Sequence, residues 1–437
     1  MQNENQEKLF MKPKLLLLVF SLLLVSLVAT AAEFRAGIAV RVVTPDPLLP
    51  VSGGVGPSHP VTRKEGDLTV RALVLENGST CVAIVSADFL GFPSALGNKV
   101  RAQVSGIPAQ NILIGATHTH SAPDCYGFPD GKGGTGADLK YLELVCARMA
   151  EAINEAVNKL QPASLKIATG VAHGKIAFNY YAEQLYDPRC HVIQALNSAG
   201  KPFATLVNYA IHPEVLGDDA GILSPDLIGP LYDRIQEKGG GTGIFMNSAQ
   251  GGMVTADNRT PDGKDSCTWS ECLRIGRLLA DEALRIVQPA PVQSLPGLYC
   301  AAKTISFRVE SPLLLAVLHA SPLLTQADKS SDRISTQLNL VNVGNAQILT
   351  IPGEALPNIG FYLKRKMRGE NNLLFGLTND AFGYILTKED WGSFKRYEYI
   401  TRTCLGEMAG DHYINEALKF VEECPRPTPA TKAATAN

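Results

Sequence analysis

Four short apolar runs along this chain each lead into a loop that carries polar side chains. Gly or Pro lies close to both ends of every run, a pattern that is typical of buried strands. The runs, with the polar side chain that follows each, are residues 112–114 before His118, 204–211 before His212, 346–351 before Glu354 and 373–377 before Tyr384. The pattern therefore predicts four buried strands, each with a polar side chain beyond its carboxyl end.

Segments before, between and after these runs predict helices, and apolar residues at helical spacing make the longest of them amphipathic. The longest covers residues 138–160, and others are predicted over residues 93–104, 224–237, 270–287, 355–368 and 407–422. Alternating strands and helices predict an α/β fold with a large mixed sheet and flanking helices. Open α/β sheets hold their functional sites at the carboxyl ends of strands, which is where the four polar side chains are expected.

His118 and His120 follow the first run, and His212 directly follows the second. Because side chains at i and i+2 of a strand share a face, His118 and His120 can point into the same cavity. Histidine is a common metal ligand but also a common structural hydrogen bonder, so the pair taken alone favours one core and one surface histidine over a metal site. His212 repeats the arrangement, and we expect it to be the third member of a metal-binding histidine cluster.

The first 31 residues have the features of a secretory signal peptide. Three lysines precede an apolar run over residues 15–28, and a small-x-small cleavage site ends at Ala31. An uncleaved membrane anchor is the weaker interpretation, because the run is shorter than the roughly 20 residues that a spanning helix needs. We therefore expect a secreted or periplasmic protein, cleaved near Ala31, that has no membrane span afterwards.

The composition is that of an ordinary globular protein. The chain has 437 residues, 45% of them hydrophobic, and a formal net charge of -2, so no charge imbalance points to a nucleic-acid partner. An exported protein can form disulfides, but the scattered spacing of the nine cysteines leaves their pairing open. Residues 425–437 are rich in Pro, Thr and Ala and are predicted to be a disordered tail. The oligomeric state is also left open.

Four motifs, in this order along the chain, resemble the neutral/alkaline non-lysosomal ceramidase family. They are Ala116-Thr117-His118-Thr119-His120-Ser121, Asn208-Tyr209-Ala210-Ile211-His212-Pro213, Ile351-Pro352-Gly353-Glu354, and the segment from Gly376-Leu377-Thr378-Asn379 through Tyr384-Ile385-Leu386-Thr387. The resemblance implies one ceramidase-like catalytic domain over residues 32–424, without the immunoglobulin-like C-terminal domain of typical members. A linker-like interval over residues 289–296 leaves a two-lobed body as the alternative.

In that family two His, a Glu and a Tyr hold a zinc ion, and the matching motifs imply His118, His212, Glu354 and Tyr384 as its ligands. Imidazole and carboxylate are ordinary zinc ligands. For His120 the resemblance implies a catalytic role beside the metal, by proton transfer or by a hydrogen bond that orients water or substrate. Without the resemblance, Glu354 would be interpreted as a helix-start acid that interacts with the dipole, and Tyr384 as a core residue.

One loop departs from the family pattern. Ceramidases carry a Gly-Asp-Val-Ser-Pro-like loop whose Ser takes part in catalysis, whereas this chain has Gln250-Gly251-Gly252-Met253-Val254-Thr255 there. The Ser position holds Val254 in one register and Thr255 in the other, which makes Thr255 the candidate catalytic hydroxyl. A β-branched nucleophile is stiffer and more crowded than Ser, so direct attack by zinc-bound water is favoured.

These observations predict a secreted zinc-dependent hydrolase that cleaves an amide (N-acyl) bond of a small-molecule or lipid-like substrate by zinc-activated water. Two alternatives stay open. One is a zinc hydrolase of another ester, phosphoester or sugar-linked substrate, and the other is a metal-stabilised binding protein that has lost catalysis. The loop over residues 125–137 is polar and Gly-rich, which predicts that it forms no lipid-binding wall.

Overall fold

The structure, a computed structural model, describes residues 33–429. The predicted signal peptide and residues 430–437 of the predicted tail lie outside the described residues. From Phe34 onward the described chain forms one compact unit, and none of its helices is long and apolar enough to cross a membrane. Residues 425–429 contain neither helix nor strand, and Asn342 Nδ2 donates a hydrogen bond to Pro425 O (2.8 Å).

Strands and helices alternate along residues 33–429. The strands, in chain order, are β1 (Arg35–Val42), β2 (Arg63–Lys64), β3 (Thr69–Asn77), β4 (Thr80–Ala87), β5 (Ile112–Ala116), β6 (Gln161–Pro162), β7 (Ser164–Val171), β8 (Ala177–Asn179), β9 (Arg189–Leu196), β10 (Pro202–Tyr209), β11 (Ile222–Leu223), β12 (Thr242–Asn247), β13 (Val254–Ala256), β14 (Val292–Gln293), β15 (Leu298–Arg308), β16 (Arg333–Val343), β17 (Ala346–Thr350), β18 (Glu354–Ala355), β19 (Asn371–Phe375) and β20 (Tyr384–Ile385).

The α-helices, in chain order, are α1 (Ser94–Arg101), α2 (Leu139–Asn158), α3 (Ile228–Glu237), α4 (Trp269–Val287), α5 (Pro312–Ala320), α6 (Gln326–Lys329), α7 (Pro357–Lys366), α8 (Glu398–Arg402) and α9 (Ala409–Glu423). Short 3-10 helices cover Ala109–Asn111 and Lys395–Tyr397. Helix α2 matches the long helix predicted over residues 138–160, and the Asp138 carboxylate caps it by accepting a hydrogen bond from Tyr141 N.

Three mixed sheets of four or five strands contain most of the strands. Their strand orders are β5-β4-β3-β1-β6 in the first sheet, β12-β10-β9-β7-β14 in the second and β15-β16-β17-β19 in the third. The predicted α/β class with a mixed sheet and flanking helices is therefore confirmed. The strands that were expected in one large sheet are divided among these three sheets.

The three sheets pack around one shared apolar core. Leu206 of β10 and Ile348 of β17 lie in that core together with inward-facing side chains of β3 and β4. The next residues along the same strands, Val207 and Leu349, point the opposite way and pack with α3 and α4 or with α7 and α9. Because these strands are apolar on both faces, each sheet requires cover on both, and a shared core with outer helices provides it.

Each of the three sheets contains one parallel pair of strands. The pairs are β4 with β5, β10 with β12, and β17 with β19. Asn247, the last residue of β12, donates hydrogen bonds from Nδ2 to Thr117 O (3.1 Å) and to Ile211 O (2.7 Å), and Ala116 N donates to Leu377 O (3.2 Å). The loops after β5, β10 and β19 therefore lie side by side, as predicted for a site at the carboxyl ends of strands.

Candidate metal centre

His118 lies two residues beyond β5 and has a left-handed backbone conformation (φ 75°). Residues other than glycine rarely adopt this conformation, and the surrounding structure must hold it where they do. His118 N donates a hydrogen bond to Phe89 O (2.9 Å), and its ring Nδ1 donates to Leu90 O (2.6 Å). Both acceptors follow β4, the parallel neighbour of β5, so the first sheet fixes the direction of this ring.

His212 lies three residues beyond β10 and is fixed by a single carbonyl group. Its backbone N and its ring Nδ1 each donate a hydrogen bond to Val254 O, both at 2.8 Å. In His118 and His212 alike, Nδ1 therefore carries the proton that a carbonyl oxygen accepts. Nε2 is left to face the centre of the site, which is the arrangement that orients metal-bound histidines.

Glu354, the first residue of β18, brings a buried carboxylate to the two Nε2 atoms. Its Oε2 lies 3.1 Å from His212 Nε2 and 3.5 Å from His118 Nε2. Burial alone would raise the pKa of the Glu354 carboxyl, but the two histidines outweigh burial and hold that pKa well below its usual range. For His212, burial lowers the pKa, but the hydrogen bond to Glu354, the negative charges of Glu214 and Glu354 and the hydrogen bond to Val254 O together outweigh burial and raise the pKa to about 9. Protons shared in this way are those that a divalent cation displaces on binding.

His120 completes a group of three histidines. Its Nε2 lies 3.4 Å from His118 Nε2, and its ring centroid lies 5.8 Å from that of His212. The ligand atoms of the three rings all lie within 4.8 Å of one another, so His118, His120 and His212 could hold a metal ion. Burial, and then the neighbouring His118 and His212, lower the pKa of His120 well below its ordinary value. The neutral form that binds metals is thereby favoured.

Tyr384 lies beside Glu354, and its hydroxyl contacts a neighbouring loop. It begins β20, where it pairs with Glu354 in parallel register, and it lines the same cavity as His118, His120 and Glu354. The hydroxyl donates a hydrogen bond to Met253 Sδ (3.3 Å). Burial, and then the Glu354 carboxylate, raise the pKa of Tyr384 well above its ordinary value. The structure thus brings Tyr384 to the centre, and its role as a ligand stays a prediction.

Thr255 pairs with His212 through the backbone, but its side chain lines a different cavity. It is the middle residue of β13 and forms a parallel backbone bridge with His212. Its side chain is partly buried and lines a neighbouring cavity together with Glu214 and Met253. The catalytic role of Thr255 stays a prediction, and the structure places it beside the second cavity rather than among the clustered imidazoles.

The cavity that contains the histidines has a largely apolar wall. Helix α5 contributes Leu314, Val317 and Leu318, and Leu90 and Ile334 lie on neighbouring walls. Apolar walls with a few convergent polar groups are typical of small-molecule sites. This cavity therefore offers a place for an apolar group next to the candidate metal centre.

Two residues of the segment 125–137, Tyr126 and Phe128, contribute to the cavity wall, although the polar and Gly-rich composition of the segment predicts no lipid-binding wall. Both side chains line the cavity, and their rings stack with centroids 4.6 Å apart. The reason is the buried Asp124, whose carboxylate accepts hydrogen bonds from the backbone N of Tyr126, Gly127 and Phe128. These bonds satisfy the polar backbone of the loop and fold it so that two aromatic rings face inward.

Two further residues of the site were not singled out from the sequence. Asn247 ties the loops of His118 and His212 together through the hydrogen bonds described above. Glu214 places its carboxylate Oε2 3.6 Å from His120 Nδ1. Its position two residues after His212 is a signal that could have found Glu214, whereas Asn247 resembles any polar residue at the end of a strand.

Two solved ceramidase structures have a similar fold. The neutral ceramidase from Pseudomonas aeruginosa aligns with a TM-score of 0.71 over 92% of this chain and 76% of its own, at 16% sequence identity. The fold of this chain is ceramidase-like. A structure of a ceramidase complexed with C2 aligns with a TM-score of 0.70 over 93% of this chain and 77% of its own, also at 16% identity. Neither a protein-family model nor a curated protein matches the sequence.

Proposed function

We propose that this protein is a secreted zinc-dependent hydrolase that cleaves an N-acyl amide bond by zinc-activated water. The observation that carries the proposal is the convergence of three histidines and Glu354 beside an apolar-walled cavity. The ceramidase-like fold supports the choice of an amide, because the two similar solved structures described above are ceramidases. The four sequence motifs that resemble the ceramidase family supply the same residues.

The ligands in this proposal are His118, His212, Glu354 and Tyr384. The donor set fits zinc, because the two imidazoles already use Nδ1 for backbone carbonyls and a carboxylate lies between their Nε2 atoms. When bound, a zinc ion polarises an acyl carbonyl and lowers the pKa of a water molecule towards 7. Tyr384 would supply the weakest donor of the four, a buried phenol that retains its proton in the described structure.

His120 would transfer the proton in this reaction. Burial and the neighbouring histidines keep its pKa low, so its imidazole is neutral and can accept a proton from the attacking water. As the water oxygen bonds to the acyl carbon and the carbon–nitrogen bond breaks, the same imidazole would return that proton to the leaving amine. His120 lines the cavity directly, which gives it access to both groups.

The proposed substrate is an amide with an apolar acyl group, of which ceramide is one candidate. Leu314, Val317, Leu318 and the stacked Tyr126 and Phe128 rings all face the cavity. Burial of an alkyl chain against such a wall contributes about 0.8 kcal/mol per CH₂ group. A lipid-like acyl chain would therefore be retained better than a short polar one.

The proposal also covers export of the protein and the extent of its catalytic domain. Residues 1–31 would be removed as a signal peptide during export, and residues 32–424 would form the catalytic domain. N-terminal sequencing of the protein recovered from a secreting host tests the first point. A mature chain that begins near residue 32 is expected, and an uncleaved Met1 in exported protein would contradict it.

Elemental analysis of the purified mature protein tests the metal assignment. We expect close to one zinc per chain in the wild type and loss of zinc in His118→Ala and Glu354→Ala. Glu183→Ala is the matched control, because that exposed carboxylate pairs with Arg259 outside the site. The same samples are assayed with short- and long-chain N-acyl sphingosines. Absence of zinc in the wild type would overturn the ligands, and zinc without amide cleavage would overturn the proposed reaction.

A further inference from the structure

We propose that Glu214 is a positioning residue for His120. Its carboxylate would accept a hydrogen bond from His120 Nδ1 and so fix the imidazole with Nε2 turned towards His118 and His212. The consequence for turnover rests on the function proposed above, whereas the orientation of the ring can be measured without any substrate. The motif that resembles the ceramidase family ends at Pro213, one residue before Glu214.

Two contacts hold the segment of Glu214 against His120. The carboxylate Oε2 of Glu214 lies 3.6 Å from His120 Nδ1, and His120 N donates a backbone hydrogen bond to Pro213 O (3.3 Å). A direct N–H···O hydrogen bond needs 2.7–3.2 Å. The Glu214 side chain is 23% exposed, so a small rotation of the carboxylate would close this distance, and active-site hydrogen bonds commonly tighten once a ligand binds.

The partner of His120 differs in kind from the partners of the other two histidines. His118 and His212 donate hydrogen bonds from Nδ1 to the backbone carbonyl oxygens of Leu90 and Val254, whose positions the fold fixes. The corresponding contact of His120 is a side-chain carboxylate. The orientation of the His120 ring therefore depends on one replaceable residue, whereas the other two rings depend on the backbone.

The tautomer of His120 decides what its Nε2 can do. With the proton on Nδ1, Nε2 has a lone pair that can accept a proton or bind a metal ion. With the proton on Nε2, the ring would instead donate it to the lone pair of His118 Nε2, 3.4 Å away, and Nε2 of His120 could then bind neither a proton nor a metal ion. A carboxylate behind the ring selects the first tautomer, as in other sites where a carboxylate orients a working histidine.

Glu214 acts through His120 because it faces a different cavity. It lines the neighbouring cavity together with Thr255, Asn258 and Asp265, whereas His120 lines the apolar-walled cavity. The ring of His120 thus separates Glu214 from the space proposed for the acyl group. A substitution at Glu214 should change the ring without removing an apolar contact.

Nuclear magnetic resonance of protein labelled with ¹⁵N in histidine tests the proposal directly. We expect the His120 ring, assigned with a His120→Gln variant, to carry its proton on Nδ1 in the wild type and in Glu214→Gln, which keeps an acceptor oxygen. Glu214→Met, of similar length but without an acceptor, should shift the ring to the Nε2–H tautomer or to a mixture. Asp265→Asn, in the same cavity, is the matched control and should leave the spectrum unchanged.

Retention of the Nδ1–H tautomer in Glu214→Met would overturn the proposal, as would an Nε2–H tautomer in the wild type. Glu214→Ala provides the same comparison if the methionine variant does not fold. Turnover supplies a second readout, in which Glu214→Met should lower kcat about 10–100-fold with KM little changed. Failure of the wild type to cleave any amide would contradict the proposed function but not the role of Glu214, because the tautomer of His120 is measured without substrate.

Discussion

Glu354 and Tyr384 lie directly opposite each other in the two-residue parallel pair formed by β18 and β20. The strands that precede them, β17 and β19, are themselves parallel neighbours in the third sheet, and Glu354 N donates a hydrogen bond to Gly383 O (2.8 Å). One sheet therefore delivers a carboxylate and a phenol side by side. The two side chains are expected to act on a bound metal as neighbours, with the carboxylate as the stronger donor.

Replacement of Tyr384 by Phe should weaken zinc binding without abolishing it. The variant loses the phenol oxygen but keeps the ring, and we expect zinc affinity to fall about tenfold, whereas Glu354→Gln should lose zinc altogether. Competition with a chromophoric chelator measures both affinities. Tyr299→Phe, whose hydroxyl contacts Cys424, is the control. Equal zinc affinity in Tyr384→Phe and the wild type would remove Tyr384 from the ligand set.

The local pattern of the sequence was sufficient to predict four buried strands and the polar side chain that follows each of them. Apolar runs before His118, His212, Glu354 and Tyr384 correspond to β5, β10, β17 and β19, because a buried strand is a local feature of the chain. Which strands share a sheet is set by contacts between distant segments, and the sequence pattern does not contain them. The hydrogen bonds from Asn247 to the loops after β5 and β10 are of this kind.

The cavity wall is a second feature that the sequence pattern could not predict, because it depends on where side chains point. Residues 125–137 have the composition of a polar loop, and only the hydrogen bonds of Asp124 show why Tyr126 and Phe128 face inward. The contact between Glu214 and His120 likewise depends on how two loops meet. Composition describes what a loop contains, whereas hydrogen bonds within and between loops decide which side chains reach the site.

Thr255→Val should leave most of the activity in place. Its side chain lines the neighbouring cavity, and attack by water does not require its hydroxyl. We expect kcat to change only a few-fold, whereas loss of a catalytic nucleophile costs on the order of 10⁴-fold or more. Steady-state kinetics of Thr255→Val and Thr255→Ser make the comparison. A collapse of kcat in the valine variant, with activity retained in the serine variant, would identify Thr255 as the nucleophile.

Phe128→Ala should reduce the preference for long acyl chains. Phe128 stacks on Tyr126 and lines the cavity, so its removal takes away surface that an alkyl chain would cover. In the wild type, each buried CH₂ group should raise kcat/KM by up to about fourfold, which corresponds to about 0.8 kcal/mol. The slope of log kcat/KM against acyl length measures the effect. Leu295→Ala, at an exposed position, is the control, and an unchanged slope in Phe128→Ala would place the acyl chain elsewhere.

Asp88, at the carboxyl end of β4, should make the stability of the fold depend on pH. The residue is fully buried, and burial raises the pKa of its carboxyl to about 6 even though Arg71 and the hydrogen bonds from Thr69 lower it. The ordinary value in an unfolded chain is about 3.9. Between about pH 4 and pH 6 the folded protein therefore binds more protons at this site than the unfolded protein does. Stability falls as the pH rises through that window.

Asp88→Asn removes this titration and keeps an oxygen that can accept from Thr69. A difference of about two pKa units corresponds to roughly 3 kcal/mol. As the pH rises from 4 to 7, the free energy of unfolding of the variant should therefore increase relative to that of the wild type, by up to this amount. Urea unfolding of both proteins at several pH values measures the difference, and all other shared ionisable groups cancel in it. A constant difference across this range would show that the buried Asp88 carboxyl titrates at its ordinary pKa.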